Sequence, residues 1–185
     1  MSKLDSAIAF AVEAHGGMKR KGKERPYILH PLEAMLIVSE LCEDEDVLAA
    51  AVLHDTVEDT AVTTDELERS FGRRVASLVA AESENKREEL PAEATWKIRK
   101  EETIRELKTA GRETKLICLG DKLSNLREIA RDQAQAGESL WLRFNQKDKR
   151  QHAWYYGSVY EILREEFGDV RPLNEYAALL QEVFG

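Results

Sequence analysis

Apolar residues recur along this chain at spacings of three and four almost from end to end, the period of helices with one face turned to a core. The pattern predicts helices over residues 3–16, 31–42, 44–59, 64–81, 94–110, 112–134, 138–144, 148–167 and 172–184. Helix punctuation agrees with it. Pro31 suits a first turn, Thr64 or Asp65 can cap the helix that follows, and Gly72, Gly111, Gly137 and Gly168 fall where helices should pause or end. No stretch alternates with period two over several residues, and no Asn-Gly or Asp-Gly hairpin turn occurs. The expected fold class is therefore all-α, without internal repeats or low-complexity segments. The polar segment 82–93, which holds Pro91, is the best candidate for a mobile connection.

Composition narrows the class. A chain of 185 residues suits one domain, and 43% hydrophobic content can bury a core without disulfides or structural zinc. Cys42 and Cys118 each lie in an apolar stretch with no CxxC partner and read as buried thiols. No apolar run approaches the ~18 residues of a membrane span, and the first fifteen residues lack a signal-peptide block, so the cytoplasm is the expected location. The net charge of −8 would repel a long nucleic acid. One stretch, residues 18–25, runs against this background with five basic residues and one acidic. A small anionic ligand suits it better than a duplex.

Three places carry chemistry. Residues 26–31 (Pro-Tyr-Ile-Leu-His-Pro) follow the basic stretch directly. Residues 53–60 (Leu-His-Asp-Thr-Val-Glu-Asp-Thr) follow an apolar segment that should be a buried helix. There His54 and Glu58 share a helical face, as do Asp55 and Asp59. Acids crowded at the C-terminal end of a helix oppose its dipole, which argues against a purely structural role and for an intervening cation or proton. The third place is residues 120–127, where Asp121 follows an apolar helix interior and needs a partner. Two imidazoles (His30, His54) and two carboxylates (Asp55, Asp121) make a mixed set suited to Mn²⁺, Fe²⁺, Co²⁺ or Zn²⁺, and the lack of thiolates argues against a structural zinc site. His15 and His152 have no such company and are assigned structural or surface roles.

His30, His54-Asp55 and Asp121, in that order, resemble the H…HD…D signature of the HD phosphohydrolase superfamily. HDTVEDT at 54–60, with PYILHP before it and DKLSNLR at 121–127 after it, closely resembles the hydrolase domain of RelA/SpoT-type alarmone enzymes and their stand-alone small relatives. The resemblance runs from about residue 5 to about residue 130. It implies a helical HD-domain bundle, a single domain over 1–185 with core motifs at 15–130 and the helices of 138–185 packed on it. It implies hydrolysis of the 3′-pyrophosphate of ppGpp or pppGpp with Mn²⁺ or another divalent first-row metal. Carried over residue by residue, His30, His54, Asp55 and Asp121 would hold the metal, and Glu58 and Asp59 would serve the attacking water. Arg20 and Lys21 would contact the nucleotide and Asn125 the ribose. Tyr27 and Lys122 complete the candidate substrate-binding residues, although filling the core is the slightly favoured alternative for Tyr27 and Lys122 can equally pair with a local acid. Three points depart from the family pattern: Glu128 where many long members carry Thr, Gly120 in place of a usual Ala, and a loop of variable length between Arg20 and His30 that leaves Lys23 or Arg25 as alternatives to Lys21. The expected partner is a small nucleotide, with no nucleic acid and no membrane; the oligomeric state stays open, a homodimer included. The competing readings are an HD phosphohydrolase of another nucleotide (an adenosine alarmone, a deoxynucleotide or a phosphomonoester) and a non-catalytic nucleotide sensor.

Overall fold

A computed structural model describes residues 2–84, 87 and 89–185. Its helices are α1 (Lys3–Ala14), α2 (Leu29–Ser39), α3 (Glu45–Leu53), α4 (Thr56–Asp59), α5 (Thr64–Phe71), α6 (Arg73–Glu82), α7 (Ala92–Thr109), α8 (Arg112–Ala136), a 3-10 helix (Gly137–Arg143), α9 (Lys149–Phe167) and α10 (Arg171–Phe184). An isolated antiparallel bridge pairs Lys19 with Pro26. The fold is all-α, as the periodicity predicts. No helix among the described residues is long and apolar enough to cross a membrane.

Several boundaries differ from the periodic pattern, each for a local reason. The helix expected over 44–59 is two helices, broken at His54-Asp55. There His54 Nδ1 donates to the Ala51 carbonyl (2.8 Å) and Thr56 Oγ1 to that of Leu53 (2.7 Å), taking acceptors that a continuing helix would use. Asp55 consequently stands as the N-cap of α4, and Glu58 and Asp59 lie in its first turn. The acids are thus not at the end of one long helix. The helix expected over 64–81 breaks at Gly72, whose φ of 91° lies in the left-handed region that glycine tolerates. The cap of α5 is Thr63, whose hydroxyl accepts from the Glu66 amide (3.2 Å), rather than Thr64 or Asp65. Residues 137–143 wind as a 3-10 helix. Cys118 is buried, but Cys42 is only half-buried just beyond α2. The connection expected over 82–93 includes residues 85, 86 and 88, which lie outside the described residues.

The chain forms two compact units, Met1–Ser83 with Arg112–Ser124, and Glu84–Gly111 with Asn125–Gly185. In the first, α3 packs against α1, α2 and α6. Partners on three sides explain why Val47 and Ala49–Leu53 are all buried and why the segment reads as apolar all round. Each buried Val or Leu contributes about 1.5–3 kcal/mol. Asp44 caps α3 and is gripped by Arg74, which also reaches Asp46 and Glu113, so the acidic turn is a solvated, ion-paired cap. Gly120 sits where an added Cβ would meet the Ala34 carbonyl oxygen at 2.5 Å, so the first part of α8 lies directly on the α2 backbone.

The second unit has its own aromatic core. His152 is buried among Trp96, Trp141 and Phe144 and bonds through Nε2 to the Gln146 carbonyl (2.8 Å), a structural role. Tyr155 and Tyr156 are buried, whereas Trp154 lies at the rim with the Lys97 ammonium 5.6 Å from its ring.

Candidate metal centre

A tight cluster of ionisable groups lies wholly in the first unit. His30 comes from the first turn of α2, His54 and Asp55 from the break after α3, and Asp121 from α8. His30, His54 and Asp121 are each at most 6% exposed. His30 Nε2 stands 3.2 Å from Asp121 Oδ1 and 3.4 Å from Asp55 Oδ2. His54 Nε2 stands 3.2 Å from Asp55 Oδ2 and 3.7 Å from Asp121 Oδ1. The two rings meet edge to face with centroids 5.1 Å apart.

Hydrogen-bond chemistry fixes which way these imidazoles face. A carbonyl only accepts, so the His54 nitrogen bonded to Ala51 carries a hydrogen, and in the neutral imidazole Nε2 presents the lone pair. That Nε2 is buried without a hydrogen-bond partner, although two carboxylates are near it. A lone pair facing carboxylate oxygens requires a proton or a cation between them. Burial presses His54 toward the neutral form, but Asp55 and Asp121 overcome this and hold its pKa well above the usual value. Burial likewise disfavours charge on Asp55, and His54 and His30 reverse it, keeping its pKa well below the carboxylate range. At Asp121 the burial effect is reversed by Lys122, His30 and His54. One ligand atom from each of His30, His54 and Asp121 falls within 4.8 Å of the others, and Asp55 Oδ2 lies beside them. The mixed imidazole and carboxylate set, with an orphaned buried nitrogen, fits a divalent first-row metal.

The surroundings are ordered around this cluster. The Tyr27 hydroxyl lies 2.7 Å from Asp55 Oδ2 and 2.6 Å from Asp59 Oδ2, so it ties the cluster to α4. Burial and these two carboxylates push the phenol pKa far up, leaving it a neutral donor. Glu58 is half-buried on the same short helix. The Arg20 guanidinium lies 5.3 Å from the Tyr27 ring centroid, on a loop closed by bonds from the Arg20 amide to the Arg25 carbonyl (2.9 Å) and from the Tyr27 amide to that of Met18 (2.9 Å). Lys21 is exposed on that loop. Lys122 pairs with Asp121 through Oδ2, the local-acid alternative for this residue. Asn125 and Glu128 belong to the second unit.

Other residues stand beside the cluster, among them His15, which the sequence places apart from such company but which interacts electrostatically with Asp55, Asp59, His54 and His30. Ser124 Oγ sits 2.9 Å from His30 Nδ1 and 2.7 Å from Glu33 Oε2. His15 is buried with both ring nitrogens unpartnered and its ring 5.0 Å from that of Tyr27. Glu82 ends α6, and burial pushes its carboxyl up to about 8, with Lys122 opposing the shift. A signal existed for the first pair: Glu33 follows His30 by three residues and Ser124 follows Asp121 by three, a shared helical face in each case.

The family profile described as HD domain matches residues 7–147. A guanosine-3′,5′-bis(diphosphate) 3′-pyrophosphohydrolase of Aquifex aeolicus (strain VF5) is 33% identical over 175 residues, 93% of this chain and 22% of that protein. The chain therefore spans about a fifth of that relative's length. Guanosine-3′,5′-bis(diphosphate) 3′-pyrophosphohydrolase MESH1 of Danio rerio is 39% identical over 131 residues, 69% of each chain. A solved structure described as a metazoan ortholog of SpoT that hydrolyzes ppGpp and plays a role in starvation responses superimposes with a TM-score of 0.78 at 26% identity, covering 98% of this chain and 96% of that one.

Proposed function

Because this chain belongs to the HD-domain family, we propose that it is a metal-dependent phosphohydrolase removing the 3′-pyrophosphate of guanosine alarmones, ppGpp to GDP and pppGpp to GTP. The observation that carries the reading is the pair of buried imidazoles facing two buried carboxylates, with His54 Nε2 left without a hydrogen bond. The names of the Aquifex and zebrafish relatives support the substrate class. His30, His54, Asp55 and Asp121 would hold the ion, for which we propose Mn²⁺, in a cytoplasmic enzyme.

A bound divalent ion supplies Lewis acidity and a nucleophilic water at neutral pH. The rest falls to the protein's own groups. Glu58 and Asp59, on α4, take up the proton that the attacking water releases. The Tyr27 hydroxyl keeps the Asp59 carboxylate turned toward the cluster. Arg20 and Lys21 hold the anionic nucleotide, the guanidinium by paired hydrogen bonds and the ammonium as a point charge. Asn125 is assigned to the ribose. Water adds to the phosphorus attached to the 3′-oxygen, that P–O bond breaks, and pyrophosphate leaves while the 3′-hydroxyl regains a proton.

The assay is pyrophosphate release by metal-stripped protein resupplied with Mn²⁺, run in parallel on ppGpp and on its adenosine counterpart. Release from ppGpp that chelator abolishes is the expected result. Release from the adenosine compound alone would move the substrate, and no release from either would overturn the alarmone assignment.

A further inference from the structure

The side of His30 that faces away from Asp55 and Asp121 makes a contact of its own. Its Nδ1 lies 2.9 Å from Ser124 Oγ, and the same hydroxyl lies 2.7 Å from Glu33 Oε2. Ser124 is 1% exposed, so water does not compete for this hydroxyl. A serine has one hydrogen to give, and an ionised carboxylate can only accept. The Ser124 hydrogen therefore goes to Glu33, which leaves the serine oxygen to accept from His30. His30 must then carry a hydrogen on Nδ1, and in the neutral imidazole Nε2, the nitrogen beside Asp121 and Asp55, presents the lone pair. The chain of partners settles the tautomer without reference to any ion.

The two imidazoles of the cluster thus reach one orientation by different means. His54 is fixed by a backbone carbonyl of its own helix, a contact three residues away. His30 is fixed by side chains ninety-odd positions apart in sequence, brought together because Gly120 lets α8 lie on the α2 backbone at Ala34. His30 also has a carboxylate at the far end of its relay, which draws its Nδ1 hydrogen outward and makes Nε2 a stronger donor to a cation.

We propose that Ser124 and Glu33 are positioning residues of the metal centre: together they lock the His30 tautomer and ring orientation and raise its affinity for the ion. This rests on the metal centre proposed above. It is independent of which nucleotide is hydrolysed.

The test is calorimetric titration of the metal-stripped full chain with Mn²⁺ alone, without nucleotide. Ser124→Ala leaves a buried Nδ1–H with no acceptor, and its dissociation constant should rise about tenfold or more. Glu33→Gln keeps an oxygen that can accept from Ser124 but loses the charge, so a smaller rise is expected. Because the two act in series, Glu33→Gln should add little in the Ser124→Ala background. Unchanged affinity in Ser124→Ala would overturn the relay, as would a Glu33→Gln loss that persists in full without the serine. A wild-type chain that takes up no Mn²⁺ would sink the metal centre and the relay together. A wild-type chain that binds Mn²⁺ yet leaves ppGpp intact would overturn only the substrate, with the titrations still deciding the relay.

Discussion

Neighbouring acids at the α3–α4 junction have different surroundings. Asp55 Oδ2 lies within 3.4 Å of both cluster imidazoles, whereas Asp59 meets the Tyr27 hydroxyl and Glu58 rests half-buried one residue before it. Removing Asp55 or His54 as alanine should abolish metal uptake and turnover together. Glu58→Gln should keep the ion and slow pyrophosphate release by roughly 10²–10⁴-fold. Metal content and turnover measured on the same samples separate the two classes; full rate in Glu58→Gln would remove it from the acid–base role. His30, His54, Asp55 and Asp121 were legible because their residue types are unusual at the ends of apolar stretches, and the structure brings all four together. Ser124 and Glu33 were not. Their three-residue spacing from His30 and Asp121 puts each on the face of a cluster residue, but serine and glutamate on helices are unremarkable and their contact with one another spans ninety-one positions. Lys122 can pair with a local acid or face phosphate, and an ion pair with Asp121 is present.

Between elements, the site depends on one close approach and one short break. A Cβ on residue 120 would fall 2.5 Å from the Ala34 carbonyl oxygen and 2.9 Å from Val38 Cγ2. Backbone cannot swing aside as a side chain can, so Gly120→Ala should push α8 off α2 at a cost of about 1–3 kcal/mol, read by urea unfolding. Stability equal to wild type would show that this contact yields freely. The break at His54-Asp55 escaped the periodicity because the residues of 44–59 are compatible with one helix. The competing acceptors for His54 and Thr56 appear only once the segment is folded. Glu82, at the end of α6, adds a pH dependence. Its carboxyl ionises near 8 in the folded chain, against an ordinary value of 4.5. Unfolding therefore releases a proton between these values, and stability falls as pH rises through that window. In metal-free protein, Glu82→Gln should raise the urea midpoint over wild type at pH 8 and lose that advantage below pH 4.5. A constant advantage at both values would contradict the assignment.

At the scale of the whole molecule, an acidic protein of net charge −8 carries a basic stretch beside a dense cluster of imidazoles and carboxylates, joined through Arg20 and Tyr27. The helical class was legible because nearly every stretch keeps a three- and four-residue apolar period, and glycines at 72, 111, 137 and 168 do stand at helix ends. Grouping into two compact units was not legible, since α8 runs unbroken from residues of one into residues of the other. The central claim, that the His30, His54, Asp55 and Asp121 cluster makes this chain a metal-dependent alarmone hydrolase, meets its most direct test in a Mn²⁺ titration of stripped protein with ppGpp present. Pyrophosphate release is read at each addition. The account predicts no release before the first addition and a rate that rises and levels off as one ion per chain is taken up. A rate indifferent to Mn²⁺, or full uptake of the ion with no pyrophosphate released, would contradict it.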